Sequence, residues 1–362
     1  MEYLETDQVR LTPDREQIDI LDQTRLPGEL VRHQIRDLSA MYDAIKTLKV
    51  RGAPCIGIFA GYAAAVRAAR IKKDGVRSAE TLLDRLGAEM EYLAESRPTA
   101  VNLKAAIDRV MDRARSAVEQ PGMSITGLVE VIYDEAVAIH EEDIAMCRRI
   151  SELGLSLLKE GDTVLTHCNA GPLATSRYGT ALGPILLGHE KGMDIKVFAD
   201  ETRPLLQGAR LTSWELARAG VDVTLICDNM ASLVMKQGRI NACMVGCDRV
   251  AANGDTANKI GTSGVAVLAA HYGIPFYVLG PVSSIDMSCA TGDDIVIEYR
   301  DPEEIKKGYF SGPMAPEAVK CFNPAFDVTD ASLITAIVTD RGIVRPPFTE
   351  GLEAIFSNKE GN

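Results

Sequence analysis

From Gly161 onward the chain alternates short apolar runs with helical stretches, and a polar cluster follows each early run. The runs cover 163–167, 195–199, 222–226, 242–246 and 275–279. This is the βαβ rhythm of a doubly wound parallel sheet. Right-handed crossovers bring the carboxyl ends of such strands to one rim. That rim collects Cys168-Asn169, Asp200-Glu201, Asp228-Asn229 and Asp248-Arg249. Ligands of open α/β sheets bind beyond the carboxyl strand ends, so the chemistry is to be sought there.

The first third reads differently. Residues 9–21 alternate apolar and polar around Pro13, as a small edge hairpin does. Leu38, Met41, Ile45 and Leu48 then recur at helical spacing. Arg51-Gly52-Ala53-Pro54 breaks that helix, and Pro54 suits the first turn of the next, 55–71. Further helices are expected at 80–95 and 103–118, with 97–102 as the loop between them. A long helix should run from 125 to about 158, and the last residues, 358–362, should fray. At 362 residues the chain exceeds the usual single-domain size. The expected division is a smaller, mainly helical domain with a few short strands at 1–122, then an α/β domain at 123–362 entered through a connecting helix at 123–158.

The net charge of −12 argues against nucleic acid or an anionic membrane as partner, because phosphate backbones demand a basic footprint. No apolar run approaches the roughly 20 residues that span a bilayer. The first residues lack a basic segment followed by an apolar one, so a cytoplasmic location is expected. Eight cysteines are scattered without zinc-ribbon spacing. Cys243 and Cys247, four residues apart on a strand, would sit about 13 Å apart, too far for one ion. No metal is expected.

Cys168 at a strand end reads either as a small core hydrophobe or as a reactive thiol. A helix starting near Leu173 would place its positive end beside the sulfur and favour the thiolate. His167 should point to the opposite face, so a Cys-His dyad is not expected. Asp248 either caps the following loop or serves as an acid. The stretch from Asn253 to Gly261 is rich in turn-forming residues and ends in Lys259 at an expected helix start, an arrangement that suits phosphate. Arg51-Gly52-Ala53-Pro54 and Arg97 read as plain turns or as further positive charge for an anionic ligand. On the third rim loop, Glu201 and Gln207 suit sugar hydroxyls, unless Arg203 pairs structurally with Asp200 and Glu201.

Taken together, several segments resemble the methylthioribose-1-phosphate isomerase family. They are Arg51-Gly52-Ala53-Pro54, Arg97-Pro98-Thr99-Ala100-Val101-Asn102, Thr166-His167-Cys168-Asn169-Ala170-Gly171, the run from Asp200 to Gly208 and the run from Asp248 to Asp255. Asn258-Lys259-Ile260-Gly261, Pro275-Phe276-Tyr277 and Asn323-Pro324-Ala325-Phe326-Asp327 continue the match, which spans residues 25 to 348. The resemblance implies a Rossmann-like C-terminal domain, a homodimer, no cofactor and a place in methionine salvage. It implies isomerisation of 5-methylthioribose 1-phosphate to 5-methylthioribulose 1-phosphate. By motif position Cys168 and Asp248 are the catalytic pair, and Arg51, Gly52, Ala53, Arg97, Gln207, Asn258 and Lys259 hold substrate.

Such a substrate cannot open through a free hemiacetal, since its anomeric oxygen carries phosphate. The reading assigns Asp248 to protonate the ring oxygen, with a pKa raised by desolvation, and the Cys168 thiolate to remove the C2 proton. A hydride shift is the competing route. Pro172, Ser176-Arg177, Cys55 and Cys247 depart from the family pattern, and the first three positions put the 5-substituent preference in play. The same reaction on 5-deoxyribose 1-phosphate is therefore the nearest alternative. Ribose 1,5-bisphosphate fits worse, because Leu205-Leu206 is apolar where a second phosphate wants charge. The related regulatory subunits of the translation initiation exchange factor offer a non-catalytic reading, which retention of Cys168 and Asp248 disfavours.

Overall fold

The computed structural model describes residues 7–98 and 100–357. Fraying of 358–362, and Thr99 within the 97–102 loop, lie outside the described residues. The chain forms two compact units. The described residues up to Ala145, together with Pro172–Arg177, make one; Met146–Gly171 and the chain from Tyr178 onward make the other.

The first unit is mainly helical. β1 (Val9–Leu11), β2 (Ile18–Leu21) and β3 (Arg32–Ile35) form an antiparallel meander. Helices α1 (Leu38–Lys46), α2 (Ala53–Lys73), α3 (Ala79–Ala94) and α4 (Val101–Val118) follow, then the long α5 (Ile125–Leu155), within which the chain passes to the second unit. Helix α2 begins with Pro54 in its first turn, where a missing N–H costs nothing. It is buried almost all round, from Cys55 through Val66, as a central helix must be. Helix α4 buries only Leu103, Ala106, Ile107, Val110, Met111, Ala114 and Ala117, the i, i+3, i+4 stripe its sequence announces.

The second unit is the expected doubly wound domain. Its elements are β4 (Thr163–Thr166), α6 (Gly183–Glu190), β5 (Lys196–Asp200), α7 (Ser213–Ala219), β6 (Val223–Ile226), α8 (Ala231–Lys236) and β7 (Ala242–Val245). There follow β8 (Arg249–Ala251), β9 (Thr256–Lys259), α9 (Thr262–Tyr272), β10 (Phe276–Leu279), β11 (Ile285–Asp286) and α10 (Glu303–Lys307). The chain closes with β12 (Phe326–Thr329), β13 (Ala336–Thr339), β14 (Gly342–Val344) and α11 (Phe348–Ser357). The main sheet runs β14-β13-β10-β7-β4-β5-β6, parallel except for the β14 edge. Counted in chain order, its parallel strands lie 3-2-1-4-5-6, so the order reverses between β4 and β7. Strand β7 is buried along its whole length, as central parallel strands are. A second sheet, β11-β8-β9-β12, stands beyond β7. It was not expected, and neither were β13 and β14.

Two expectations need correction. No helix starts near Leu173: turns occupy 171–182, and α6 begins only at Gly183. The positive helix end invoked for Cys168 is therefore not there. Lys259 does not open a helix either; it closes β9, three residues before α9.

Candidate active site

Cys168 and Asp248 leave adjacent parallel strands at the same end of the sheet. Leu165 of β4 pairs with Cys243 of β7, so the two residues stand three and five positions past one register point. Glycine lets the two strand ends meet: a Cβ on Gly246 would lie 2.7 Å from the Ala170 methyl. Both residues thus flank the reversal point of the strand order, where open α/β sheets bind ligands. Cys168 is half-buried and Asp248 is exposed.

The backbone at Cys168 is strained, with φ of 66°. Left-handed geometry on a residue with a Cβ persists only where surroundings impose it. Two threonines do so. The Cys168 N–H donates to Thr202 Oγ1 at 2.8 Å, and Thr212 Oγ1 donates to the Cys168 carbonyl at 2.6 Å. Thr202 is itself left-handed at φ of 64°, held because Asp228 accepts the Thr202 and Arg203 N–H groups at 2.6 and 2.7 Å. Asn169 donates to the buried Glu215 and to Thr212, at 2.5 and 3.2 Å. The thiol thus sits on a loop tied to β5, β6 and the helix before Ala219.

Other cysteines near the rim are poor thiolates. Burial, and then the charge of Asp248, push the Cys247 thiol up to about 12, and its sulfur fills the space that Gly280 leaves beside β10. Burial raises the Cys243 thiol further.

Gln207 lies at the start of a five-residue π-helix, Gly208–Thr212, a distortion often found at functional sites. Gly208 is obligatory, since a Cβ would sit 1.7 Å from the Asp200 carbonyl oxygen. Gln207 is buried, and its Oε1 has no partner among the described residues. It shares a narrow cleft with Lys259, Leu205 and Arg300. The Lys259 ammonium donates to the Ala325 carbonyl at 2.8 Å and lies 4.4 Å from the Phe326 ring centroid. Asn258, buried beside it on β9, donates to Thr262 Oγ1 at 3.0 Å. Arg203 does not pair with Asp200 or Glu201: it donates to the Pro204 and Ile305 carbonyls. The His167 ring nitrogens are engaged by Asp200 and the Ile260 carbonyl.

Arg51, Gly52, Ala53 and Arg97 belong to the helical unit. Gly52 is the N-cap of α2 at φ of 90°, and a Cβ there would lie 2.3 Å from the Ala174 carbonyl oxygen. That carbonyl accepts the Cys55 N–H at 3.2 Å, satisfying one free donor of the helix start. Arg51 and Arg97 are half-buried, and Ala53 is exposed.

The sequence reading missed Thr202, Thr212, Glu215 and the His167–Asp200 pair. Each lies some 30 to 50 residues from its partner, so only strand register could reveal them. Among the described residues His167, Asp200 and Asp228 place ligand-type atoms within 4.8 Å of one another.

Residues 49–346 match the model of the Initiation factor 2 subunit family. A methylthioribose-1-phosphate isomerase of Parabacteroides distasonis is 57% identical over 335 residues, covering 92% of this chain and 98% of that one. A 5-deoxyribose 1-phosphate isomerase of Petrotoga mobilis is 53% identical over 348 residues, covering 96% and 98%. The crystal structure of 5-methylthioribose 1-phosphate isomerase from Pyrococcus horikoshii superposes with a TM-score of 0.91 at 40% identity, covering 98% of each chain. That of translation initiation factor eIF-2B, subunit delta, from A. fulgidus gives 0.88 at 39% identity, covering 97% of this chain and 99% of that one.

Proposed function

This chain belongs to the Initiation factor 2 subunit family, and from that premise we propose that it is the aldose-ketose isomerase converting 5-methylthioribose 1-phosphate to 5-methylthioribulose 1-phosphate. The reaction would be a step of methionine salvage. One observation carries the reading: Cys168, strained at φ of 66°, and Asp248 leave adjacent strands β4 and β7 at the reversal point of the sheet. Relatives at 57% and 53% identity bear the names of the 5-methylthio and 5-deoxy isomerases. The 5-deoxy sugar phosphate is accordingly the second candidate substrate. Comparing kcat/KM for the two sugars decides between them.

In the mechanism Asp248 gives its proton to the ring oxygen as the bond from that oxygen to C1 breaks. The Cys168 thiolate takes the proton from C2, and the electron pair left behind forms the C1–C2 double bond. The enol then loses its C2 hydroxyl proton to Asp248 and regains a proton at C1 from the thiol. Both catalysts are restored and no electrons leave the sugar. Asp248 is exposed before substrate arrives, so the desolvation that keeps a carboxyl protonated must come from the bound sugar itself. Lys259, Asn258, Gln207, Arg51, Arg97 and the backbone of Gly52 and Ala53 are assigned to holding the substrate.

Cys168→Ser and Asp248→Asn should each lower kcat by about 10²–10⁴ while substrate still binds. A variant that keeps a tenth of the wild-type rate rules its residue out. Turnover in deuterated water should place solvent deuterium at C1 of early product; none there means hydride shift.

The eight cysteines are free, as suits a reducing cytoplasm, and no helix among the described residues is long and apolar enough to cross a membrane. Tyr299, Phe310, Met314 and Phe322 expose apolar surface that supports assembly as a homodimer. Gel filtration with light scattering tests it.

A further inference from the structure

One buried histidine faces an acceptor with each ring nitrogen. His167 Nδ1 lies 3.0 Å from Asp200 Oδ2, and Nε2 lies 2.9 Å from the Ile260 carbonyl oxygen. A carbonyl only accepts, so Nε2 donates to Ile260, and with Asp200 ionised the ring donates from Nδ1 as well, as an imidazolium. Its residue is 2% exposed and Asp200 is 0% exposed. Burial opposes the charge, but the Asp200 hydrogen bond and carboxylate charge, then the Ile260 carbonyl and Asp228, outweigh it and raise the His167 pKa. Burial raises the Asp200 pKa too, with Asp228 and Glu201 adding to it against the pull of His167, so the proton between the two groups is tightly held.

The backbone closes on the ring. Gly261 is at φ of 102°, and a Cβ there would come within 2.9 Å of His167 Cε1. Its N–H donates to Asp327 Oδ2 at 2.7 Å. Cys168 is the next residue after the ring, while Asn258 and Lys259 immediately precede Ile260. Metal-ligand residue types are present, but the Asp228 oxygens already accept two backbone N–H groups and both ring nitrogens are engaged.

We propose that His167 is a positioning residue, a two-armed clamp that fixes the loop bearing Asn258 and Lys259 to the strand end bearing Cys168. The clamp rests on the isomerase reading and touches no reacting atom. It keeps the anchoring amine and amide in register with the thiol.

The two arms can be cut separately. An asparagine amide nitrogen falls near Nδ1 and a glutamine amide nitrogen near Nε2. His167→Asn therefore keeps the arm to Asp200, and His167→Gln keeps the arm to Ile260. The expected result is a KM for the sugar 1-phosphate raised about tenfold or more in His167→Asn and within about threefold of wild type in His167→Gln. Equal KM values in both variants, or unchanged KM values with only a lower Tm, overturn the clamp. Wild-type protein labelled with ¹⁵N-histidine needs no variant: one histidine should keep both ring nitrogens protonated above the ordinary imidazole pKa of about 6.5, and a bare nitrogen there overturns the two-donor geometry. Dialysis against EDTA should leave the rate unchanged; loss of activity restored by zinc replaces the clamp with a metal site. Wild-type protein that turns over neither sugar phosphate defeats the isomerase reading and the clamp's role in it, whereas the NMR signature reads the ring geometry alone.

Discussion

Cys168 holds a backbone conformation that costs a residue with a Cβ about 1–2 kcal/mol, while its neighbours Thr202 and Thr212 keep both its backbone groups bonded. Strain kept by such over-determination points to a requirement of the site, not of the fold. Glycine would relieve it. Cys168→Gly is expected to raise unfolding stability by about 1 kcal/mol while abolishing turnover, read by urea denaturation beside the activity assay. A destabilised variant would mean that the sulfur is needed for packing. The residue itself was legible, from the polar cluster at the end of an apolar run. Its dihedral was not, because the groups that impose it lie 34 and 44 residues away in sequence.

At the scale of elements, the stretch from Asn253 to Gly261 shows what a composition-based reading loses. Its small polar residues suggest a loop, yet Asn253-Gly254 turns β8 into β9, and Arg249 pairs with Ala257. An Asn-Gly pair between alternating residues is a strong hairpin signal, so this sheet was available to a closer reading. The helix expected near Leu173 had no such remedy. Residues 172–177 follow the needs of another unit, with Arg177 left-handed at φ of 46°, and local propensity yields to that. Where β5 leads into the π-helix, Gly208→Ala should destabilise by about 1–3 kcal/mol and lower activity with it, because the new methyl meets the Asp200 carbonyl. Thermal unfolding and kcat/KM measure both effects. The pair joining β4 and β5 makes a pH prediction. The His167 pKa is raised above its ordinary 6.5 in the fold, so its stabilisation is complete below that value and is lost as pH rises through the higher, folded one. Denaturation series from pH 6 to 10 should show this decline in wild type and a flatter curve in His167→Gln.

At the scale of the molecule, the parallel sheet and the mainly helical N-terminal region were both readable from periodicity, since strand and helix periods differ over windows longer than ten residues. The mutual placement of chain segments was not, because one short piece is lodged away from its sequence neighbours. Pro172–Arg177 packs with the helical unit: Gln23 donates to the Leu173 carbonyl at 2.6 Å, and Leu173 is wholly buried. The polypeptide consequently changes unit at 145/146, at 171/172 and at 177/178. A single cut cannot yield two self-sufficient fragments. A truncated chain starting at Met146 would carry Leu173 and Ala174 with nothing to receive them, and it should aggregate or bind an apolar dye, whereas co-expression with residues 1–145 should restore solubility. The thiol-bearing loop thus runs without a break into a segment that belongs to the helical unit, so any engineered exchange of one unit has to rebuild three junctions.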